Sequence, residues 1–251
     1  MIAANFNLSG RRALVTGAGR GIGRGIAEAL ASAGAHVTLC ARSESEITEA
    51  AAAIVAAGGQ AEGLSLDVTD AAGFAANLAE KEAFDIFVNN AGTNRPALLD
   101  DVTEDDFDLI IGLNLRAAVF AAQTVARGMV KRGAGGSIIN MSSQMGHVGA
   151  AKRSIYCASK WAIEGFSKAL AIELGPHKIR VNTICPTFIE TPLTQPYFED
   201  PAFRQEVLAK IKLGRLGQVQ DVVGAAVFLA SDAAAMTTGS AVMVDGGWTA
   251  E

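Results

Sequence analysis

Tyr156 and Lys160 stand four residues apart in a helical stretch, so both side chains leave the same face of that helix. A free phenol has a pKa of about 10 and is a poor base at neutral pH. An ammonium group beside it stabilises phenolate, and the tyrosine can then exchange a proton with a substrate oxygen. Such a pair alone is commonplace on helix surfaces, so its meaning depends on what the fold brings to it. A second chemical feature is Thr16-Gly17-Ala18-Gly19-Arg20-Gly21-Ile22-Gly23, which follows one apolar run and opens a helix. Glycines there permit a tight turn, close approach of a pyrophosphate and close helix packing, while the helix N-terminus offers free N–H groups. Directly after a first strand, this loop predicts a nucleotide site. Its spacing is T-G-x-x-x-G-x-G rather than G-x-G-x-x-G, since Ile22 and Arg24 replace the glycine the commoner pattern needs. Cys40, Cys157 and Cys185, and His36, His147 and His177, lack metal-ligand spacing, so no metal site is expected.

Short apolar runs alternate with Ala-rich stretches along the chain. Residues 12–16, 36–40, 84–88, 137–141, 181–185 and 241–245 read as strands buried on both faces, and 64–67 as a shorter one. Helices are predicted over 22–33, 45–57, 71–82, 104–131, 155–174 and 219–230. Strict alternation implies right-handed crossovers and an α/β, doubly wound parallel sheet of about seven strands with helices on both faces. Residues 1–251 are read as a single dinucleotide-binding and catalytic domain. Four of the six prolines (Pro186, Pro192, Pro196, Pro201) fall between the strand at 181–185 and the last helix at 219–230, marking a substrate lid at about 187–217.

The octet at 16–23, together with Asn89-Asn90-Ala91-Gly92 and Tyr156-Cys-Ala-Ser-Lys160, resembles the short-chain dehydrogenase/reductase family over essentially the whole chain. The resemblance implies a Rossmann-type fold and an NAD(P)-dependent oxidoreductase acting on CH–OH groups. It also implies the catalytic set Asn114, Ser143, Tyr156 and Lys160. Ser143 precedes Tyr156 by the family's thirteen residues and would hold the substrate oxygen. Tyr156 would transfer the proton, and Lys160 would lower the tyrosine pKa and bind the nicotinamide ribose. Asn114, a polar residue in an apolar helix, would support a water linking the lysine to solvent. Gly17, Gly19, Gly21, Ile22 and Gly23 would cradle the dinucleotide. Asp67 and Val68 would lie beside the adenine, and Asn90, Ala91 and Gly92 beside its ribose. Asp67 before Thr69 reads equally well as a turn-capping acid. Pro186-Thr187-Phe188-Ile189-Glu190-Thr191 resembles the segment P-G-x-x-x-T that contacts the nicotinamide, through Ile189 and Thr191. Thr187 replaces its usual glycine, which strains the loop if φ is positive there.

NAD sites usually place an acid about 20 residues beyond the glycines. Positions 39–43 read Leu-Cys-Ala-Arg-Ser, with no acid before Glu44. Arg42 and Arg20 are cations suited to a 2′-phosphate, so NADP(H) is favoured over NAD(H). Around the substrate the resemblance places Asn94, Arg95, Gln144, His147, Lys152, Arg153, Thr187 and Glu190. Arg95 and Gln144 are preferred, and Lys152 and Arg153 read as solvated loop residues. These polar groups point to a small sugar, sugar acid or polyol, in the manner of gluconate-type dehydrogenases. A 3-oxoacyl thioester (acyl-carrier-protein) reductase is the alternative, with Met145, Leu193, Tyr197 and Phe198 as apolar surface. A non-enzymatic dinucleotide-binding regulator is disfavoured, since a pure binder needs no such catalytic set.

The chain has 251 residues, 50% hydrophobic and 19% charged, with a net charge of −5. That balance excludes disorder and argues against a nucleic-acid partner, which needs excess Lys and Arg. No apolar run reaches the roughly 20 residues that cross a bilayer, so no membrane partner is expected. Met1 to Gly10 carry no basic patch followed by an apolar stretch, so no signal peptide is expected. Odd, scattered cysteines fit reduced thiols in a cytoplasm. The resemblance further implies a homo-oligomer, usually a tetramer, to which the apolar faces of 104–131 and 155–174 lend modest support.

Overall fold

The computed structural model describes residues 4–250; the extreme ends of the expected 1–251 domain and of the Met1–Gly10 segment lie outside them. Seven strands form one parallel sheet: β1 (Arg12–Thr16), β2 (His36–Ala41), β3 (Gln60–Ser65), β4 (Ile86–Asn89), β5 (Gly136–Met141), β6 (Ile179–Pro186) and β7 (Ala241–Val244). Their order is β3-β2-β1-β4-β5-β6-β7. The order reverses between β1 and β4, which makes the carboxyl ends of those strands the place where such sheets bind ligands.

Among the described residues there are eight α-helices: α1 (Gly21–Ser32), α2 (Glu44–Ala56), α3 (Ala71–Ala79), α4 (Glu104–Ile111), α5 (Ala118–Arg132), α6 (Ser154–Leu174), α7 (Pro201–Lys210) and α8 (Val219–Ala230). One face packs Ile26, Leu30, Ile47, Ile54, Val222 and Leu229 of α1, α2 and α8 on the sheet. The other packs Phe74, Leu78, Val125, Met129, Ala171 and Leu174 of α3, α5 and α6. Burial of this kind contributes roughly 1.5–3 kcal/mol per large side chain. Local signals set the helix starts. Ser43 and Asp70 cap α2 and α3, and Thr103 with Asp106 forms a capping box on α4.

Three expectations need correction. The third strand lies at Gln60–Ser65, not 64–67, because it is a half-exposed edge strand whose polar residues hide it from an apolar search. The expected helix over 104–131 is interrupted by a π-turn at Gly112–Ala117. Glu104–Arg132 also contains an 18-residue window, of mean hydropathy 1.6, long and apolar enough by composition to cross a membrane. Its Ile110, Ala118, Ala122, Val125 and Met129 are instead buried within the fold. Residues 187–217, where a lid is expected, hold a 3₁₀ segment at Gln195–Glu199 and α7, which Asp200 caps ahead of Pro201.

Candidate active site

The glycine loop is built as a cradle. Gly17 and Gly21 take φ of +64° and +57°, a region side chains avoid. A Cβ at Gly23 would come within 2.3 Å of the Gly17 carbonyl oxygen. Asn90 locks the loop to the end of β4: its Nδ2 donates to Thr16 O at 2.9 Å and Gly17 O at 3.2 Å, and its own N–H donates to Thr16 Oγ1 at 3.0 Å. Ala91 N–H shares that hydroxyl at 3.1 Å. A Cβ at Gly21 would sit 3.6 Å from Thr191, so the loop and the segment after β6 face one another. Val68 and Ile189 are buried at the flanks, and Thr191 is fixed by Thr194. A cavity of about 390 Å³ opens beside Glu190, Thr191, Pro192, Gln195 and Phe198. These features fit a dinucleotide.

The two arginines differ in setting. Arg20 lies 3.6 Å from Glu46 of α2, an acid that the linear sequence does not associate with the loop. Arg42 is exposed and has no ion pair among the described residues. Asp67 takes its turn-forming part, accepting from Thr69 N–H at 2.9 Å and from its hydroxyl at 2.7 Å. These bonds and Arg42 hold its carboxyl below the usual range despite partial burial.

Ser143, Tyr156 and Lys160 meet at the ends of β5 and α6. Ser143 Oγ accepts from Met145 N–H at 3.1 Å and donates to Pro186 O at 3.4 Å. Burial pushes the Tyr156 phenol up, while its hydrogen bond with Ser143 and the charge of Arg153 pull it down. Lys160 Nζ donates to Met141 O at 2.8 Å and lies 5.6 Å from the Tyr156 ring centre. Burial lowers the ammonium to about 8, against support from Cys185 and Glu164. Asn114 sits within the π-turn, a distortion that recurs at functional sites. Its bonds cross to Thr93 and Ser159 rather than to its own helix. A Cβ at Gly92 would lie 3.3 Å from Asn114 Oδ1 and 3.8 Å from Lys160 Nζ, so both residues converge on that glycine.

The residues expected around the substrate divide. Gln144 is 1% exposed, and neither atom of its amide has a protein partner; Asn94 Oδ1 and Thr187 Oγ1 are buried in the same condition. Thr187 avoids positive φ, so the loop without its glycine is unstrained. Arg95 is held by Asp106 at 2.9 Å, and Glu190 pairs with Gln218. His147 is turned into the protein, 3.5 Å from both Glu164 and Cys185. Their donor atoms lie within 4.8 Å of one another, a grouping that sequence spacing did not reveal. Hydrogen bonds join the three: Cys185 Sγ donates to Glu164 at 3.3 Å, Thr183 donates at 3.0 Å, and burial pushes the Cys185 thiol up to about 12. Arg153 departs most from expectation. It is 8% exposed rather than solvated, with its guanidinium over the rings of Phe188 and Tyr197.

The comparisons with known proteins agree with this geometry. A family model described as enoyl-(acyl carrier protein) reductase matches residues 17–249. The chain is 42% identical to L-xylulose reductase of Bos taurus over 246 residues, covering 98% of this chain and 99% of that one. It is 38% identical to gluconate 5-dehydrogenase of Gluconobacter oxydans over 248 residues, covering 97% and 96%. The crystal structure of a gluconate 5-dehydrogenase from Burkholderia cenocepacia, in complex with NADP and tartrate, superposes with a TM-score of 0.95 at 36% identity, covering 99% and 98%. The fold, the glycine cradle and these relatives together place the chain in the short-chain dehydrogenase/reductase family.

Proposed function

We propose that the protein is an NADP(H)-dependent oxidoreductase that interconverts a hydroxyl and a carbonyl on a small polyhydroxylated substrate: a sugar, sugar acid or polyol. One observation carries the substrate class. Gln144 directly follows Ser143, Thr187 follows the Pro186 whose carbonyl Ser143 bonds, and Asn94 follows the Thr93 that pairs with Asn114. Each presents a buried polar atom without a protein partner. Leaving such atoms unmatched costs roughly 1–3 kcal/mol each, and substrate hydroxyls would satisfy them. Relatives named for xylulose and gluconate support the same class. The apolar side chains near the lid, by contrast, pack on one another, with Phe188 5.6 Å from Phe203 and 6.0 Å from Trp248. That favours sugars over a 3-oxoacyl thioester.

A bound nicotinamide supplies or accepts the hydride. Ser143 orients the reacting oxygen and Tyr156 exchanges its proton. Lys160 would hold the nicotinamide ribose, and Asn114 would position the relay that links the lysine to solvent. Arg42 would meet the 2′-phosphate. We further propose one catalytic domain with its lid at 187–217, acting in the cytoplasm as a homotetramer. The three free cysteines and the exposed Phe107, Phe120, Trp161 and Ile172 support those assignments. The test is absorbance of reduced nicotinamide with polyols, aldonates, keto sugars, an oxoacyl thioester and hydrophobic ketones. Turnover of the polyhydroxylated compounds is expected; faster reaction of the thioester or the hydrophobic ketones overturns the reading.

A further inference from the structure

Behind Ser143, three side chains that can ligate a metal meet from separate elements. His147 follows the 3₁₀ turn Gln144–Gly146, Glu164 stands one helical turn past Lys160 on α6, and Cys185 lies next to Pro186 at the end of β6. Each turns one atom toward the other two. His147 Nε2 is 3.5 Å from Glu164 Oε1 and 3.5 Å from Cys185 Sγ, and Sγ is 3.3 Å from the same Oε1. Tetrahedral ligation with bonds of about 2.0–2.3 Å sets donor-to-donor edges of about 3.3–3.8 Å. The triangle therefore has the size of one face of a metal tetrahedron. An ion pair alone explains it less well, because a charge-assisted N–H···O bond closes to about 2.7–2.9 Å.

The surroundings also suit a divalent cation. Glu164 is 5% exposed, and its Oε2 accepts from Thr183 at 3.0 Å, which leaves Oε1 facing the sulfur and the imidazole. The hydrogen-bond donors to this carboxylate are an alcohol and a thiol, and no Lys or Arg forms an ion pair with it among the described residues. Buried charges of this kind are ordinarily paired or coordinate metals. Ser142 Oγ is buried without a hydrogen-bond partner, and a Cβ at Gly146 would lie 2.8 Å from it and 3.1 Å from Glu164 Cγ, so the hydroxyl borders the carboxylate. His147, with 32% of its side chain exposed against 7% for Glu164, opens the group to solvent.

We propose that His147, Glu164 and Cys185 form a binding site for one zinc ion, with water as the fourth ligand on the open side of His147. One imidazole nitrogen, one sulfur and one carboxylate oxygen suit zinc, whereas magnesium and calcium take oxygen ligands. The thiol binds as thiolate, so each zinc taken up displaces one proton from Cys185 to the buffer. Glu164 binds as the carboxylate it already is, and His147 as neutral imidazole. The ion joins α6, β6 and the turn after β5, the elements that carry Lys160, the Pro186 carbonyl and Ser143. It braces one wall of the active site and takes no part in hydride or proton transfer. The site needs neither substrate nor dinucleotide, so it stands or falls apart from the proposed function.

The experiment titrates the full chain, stripped of metal with EDTA and dialysed, with zinc chloride by calorimetry in two buffers of different ionisation enthalpy. Wild type is expected to bind one zinc per chain with a Kd of about 1 µM or tighter and to release about one proton. At a hundredfold excess over Kd the thermal midpoint should rise by about 5 °C. Cobalt(II) in place of zinc should give a thiolate-to-metal charge-transfer band and the strong visible bands of tetrahedral coordination, and Cys185→Ser should abolish the first. Cys185→Ser, Glu164→Gln and His147→Gln should each weaken zinc by at least about 30-fold. The double variant Cys157→Ser/His177→Gln, which removes a thiol and an exposed imidazole elsewhere, should bind zinc as wild type does. His147→Gln changes the most exposed of the three side chains, so it decides the matter even where a buried variant fails to fold. A wild-type Kd weaker than about 100 µM, displacement of zinc by equimolar magnesium, a cobalt spectrum without the thiolate band, or unchanged zinc affinity in His147→Gln overturns the proposal.

Discussion

Asn114 and Thr93 exchange two hydrogen bonds: Thr93 N–H donates to Asn114 Oδ1 at 2.8 Å, and Asn114 Nδ2 donates to Thr93 O at 2.9 Å. The π-turn at 112–117 carries the asparagine that makes this exchange, which ties the helix to the chain just after the Asn-Asn-Ala-Gly turn. Asn114→Ala removes both bonds and leaves two half-buried backbone groups of Thr93 without them, at roughly 1 kcal/mol each. The thermal midpoint should fall by several degrees, and kcat should drop about 100-fold with little change in KM. Thermal unfolding and steady-state kinetics on the same preparation check both numbers.

Tyr156→Phe keeps the ring and removes the phenol oxygen proposed to exchange the proton. Folding and NADP(H) binding should persist while kcat falls by three or more orders of magnitude. Ser143→Ala should cost about 100-fold or more, and the double variant should cost little beyond Tyr156→Phe, since the two hydroxyls act on one oxygen. Appreciable turnover in Tyr156→Phe assigns the proton transfer to another group.

The parts legible in the sequence are those carried by local pattern. Buried strands such as β1 and β6 read as continuous apolar runs, and the glycine loop read as a cradle from position and spacing. The edge strand β3 did not, because pairing on one side lets half its residues face water. The π-turn was invisible, since Gly112–Ala117 has the composition of ordinary helix. Arg153 was misread for a related reason: loop arginines are usually solvated, and only the fold brings its guanidinium over the rings of Phe188 and Tyr197. Gln144 was found by adjacency to Ser143, and the structure adds that its amide is unmatched. The pairing of Glu46 with Arg20 spans 26 residues and two elements, and no local pattern announces it.

Lys160 gives a pH signature. Its ammonium is lowered from 10.5 to about 8 by burial. Below pH 8 both folded and unfolded chains carry the charge, and the folded state bears the whole penalty. Between pH 8 and 10.5 the unfolded chain binds the extra proton, so this group's contribution becomes more favourable as pH rises. Relative to Lys160→Met, wild type should gain up to about 3 kcal/mol of stability from pH 7.5 to 10.5. Urea unfolding of both proteins across that range measures the difference, and a flat difference would show that the lysine titrates normally.

Cofactor choice turns on Arg42, Arg20 and Glu46. Unlike Arg20, Arg42 has no ion pair among the described residues, so Arg42→Ala should weaken NADP(H) by about tenfold and leave NAD(H) nearly unchanged. Adding the acid that NAD sites carry, in Ala41→Asp with Arg42→Ala, should reverse the preference. Glu46 acts in the opposite direction. It draws Arg20 to 3.6 Å and places a carboxylate against the glycine loop, where a Cβ at Gly19 would meet its Oε2 at 2.8 Å. Glu46→Gln should therefore release Arg20, remove a negative charge and strengthen NADP(H) several-fold. Both guanidinium effects act on exposed charges, so they should shrink as salt rises from 20 to about 500 mM, where the Debye length falls below 10 Å. Dissociation constants for NADPH and NADH from nicotinamide fluorescence, at both salt concentrations, provide the measurement. Tighter NADH than NADPH in wild type, or no response to Arg42→Ala, would reassign the 2′ position to NAD.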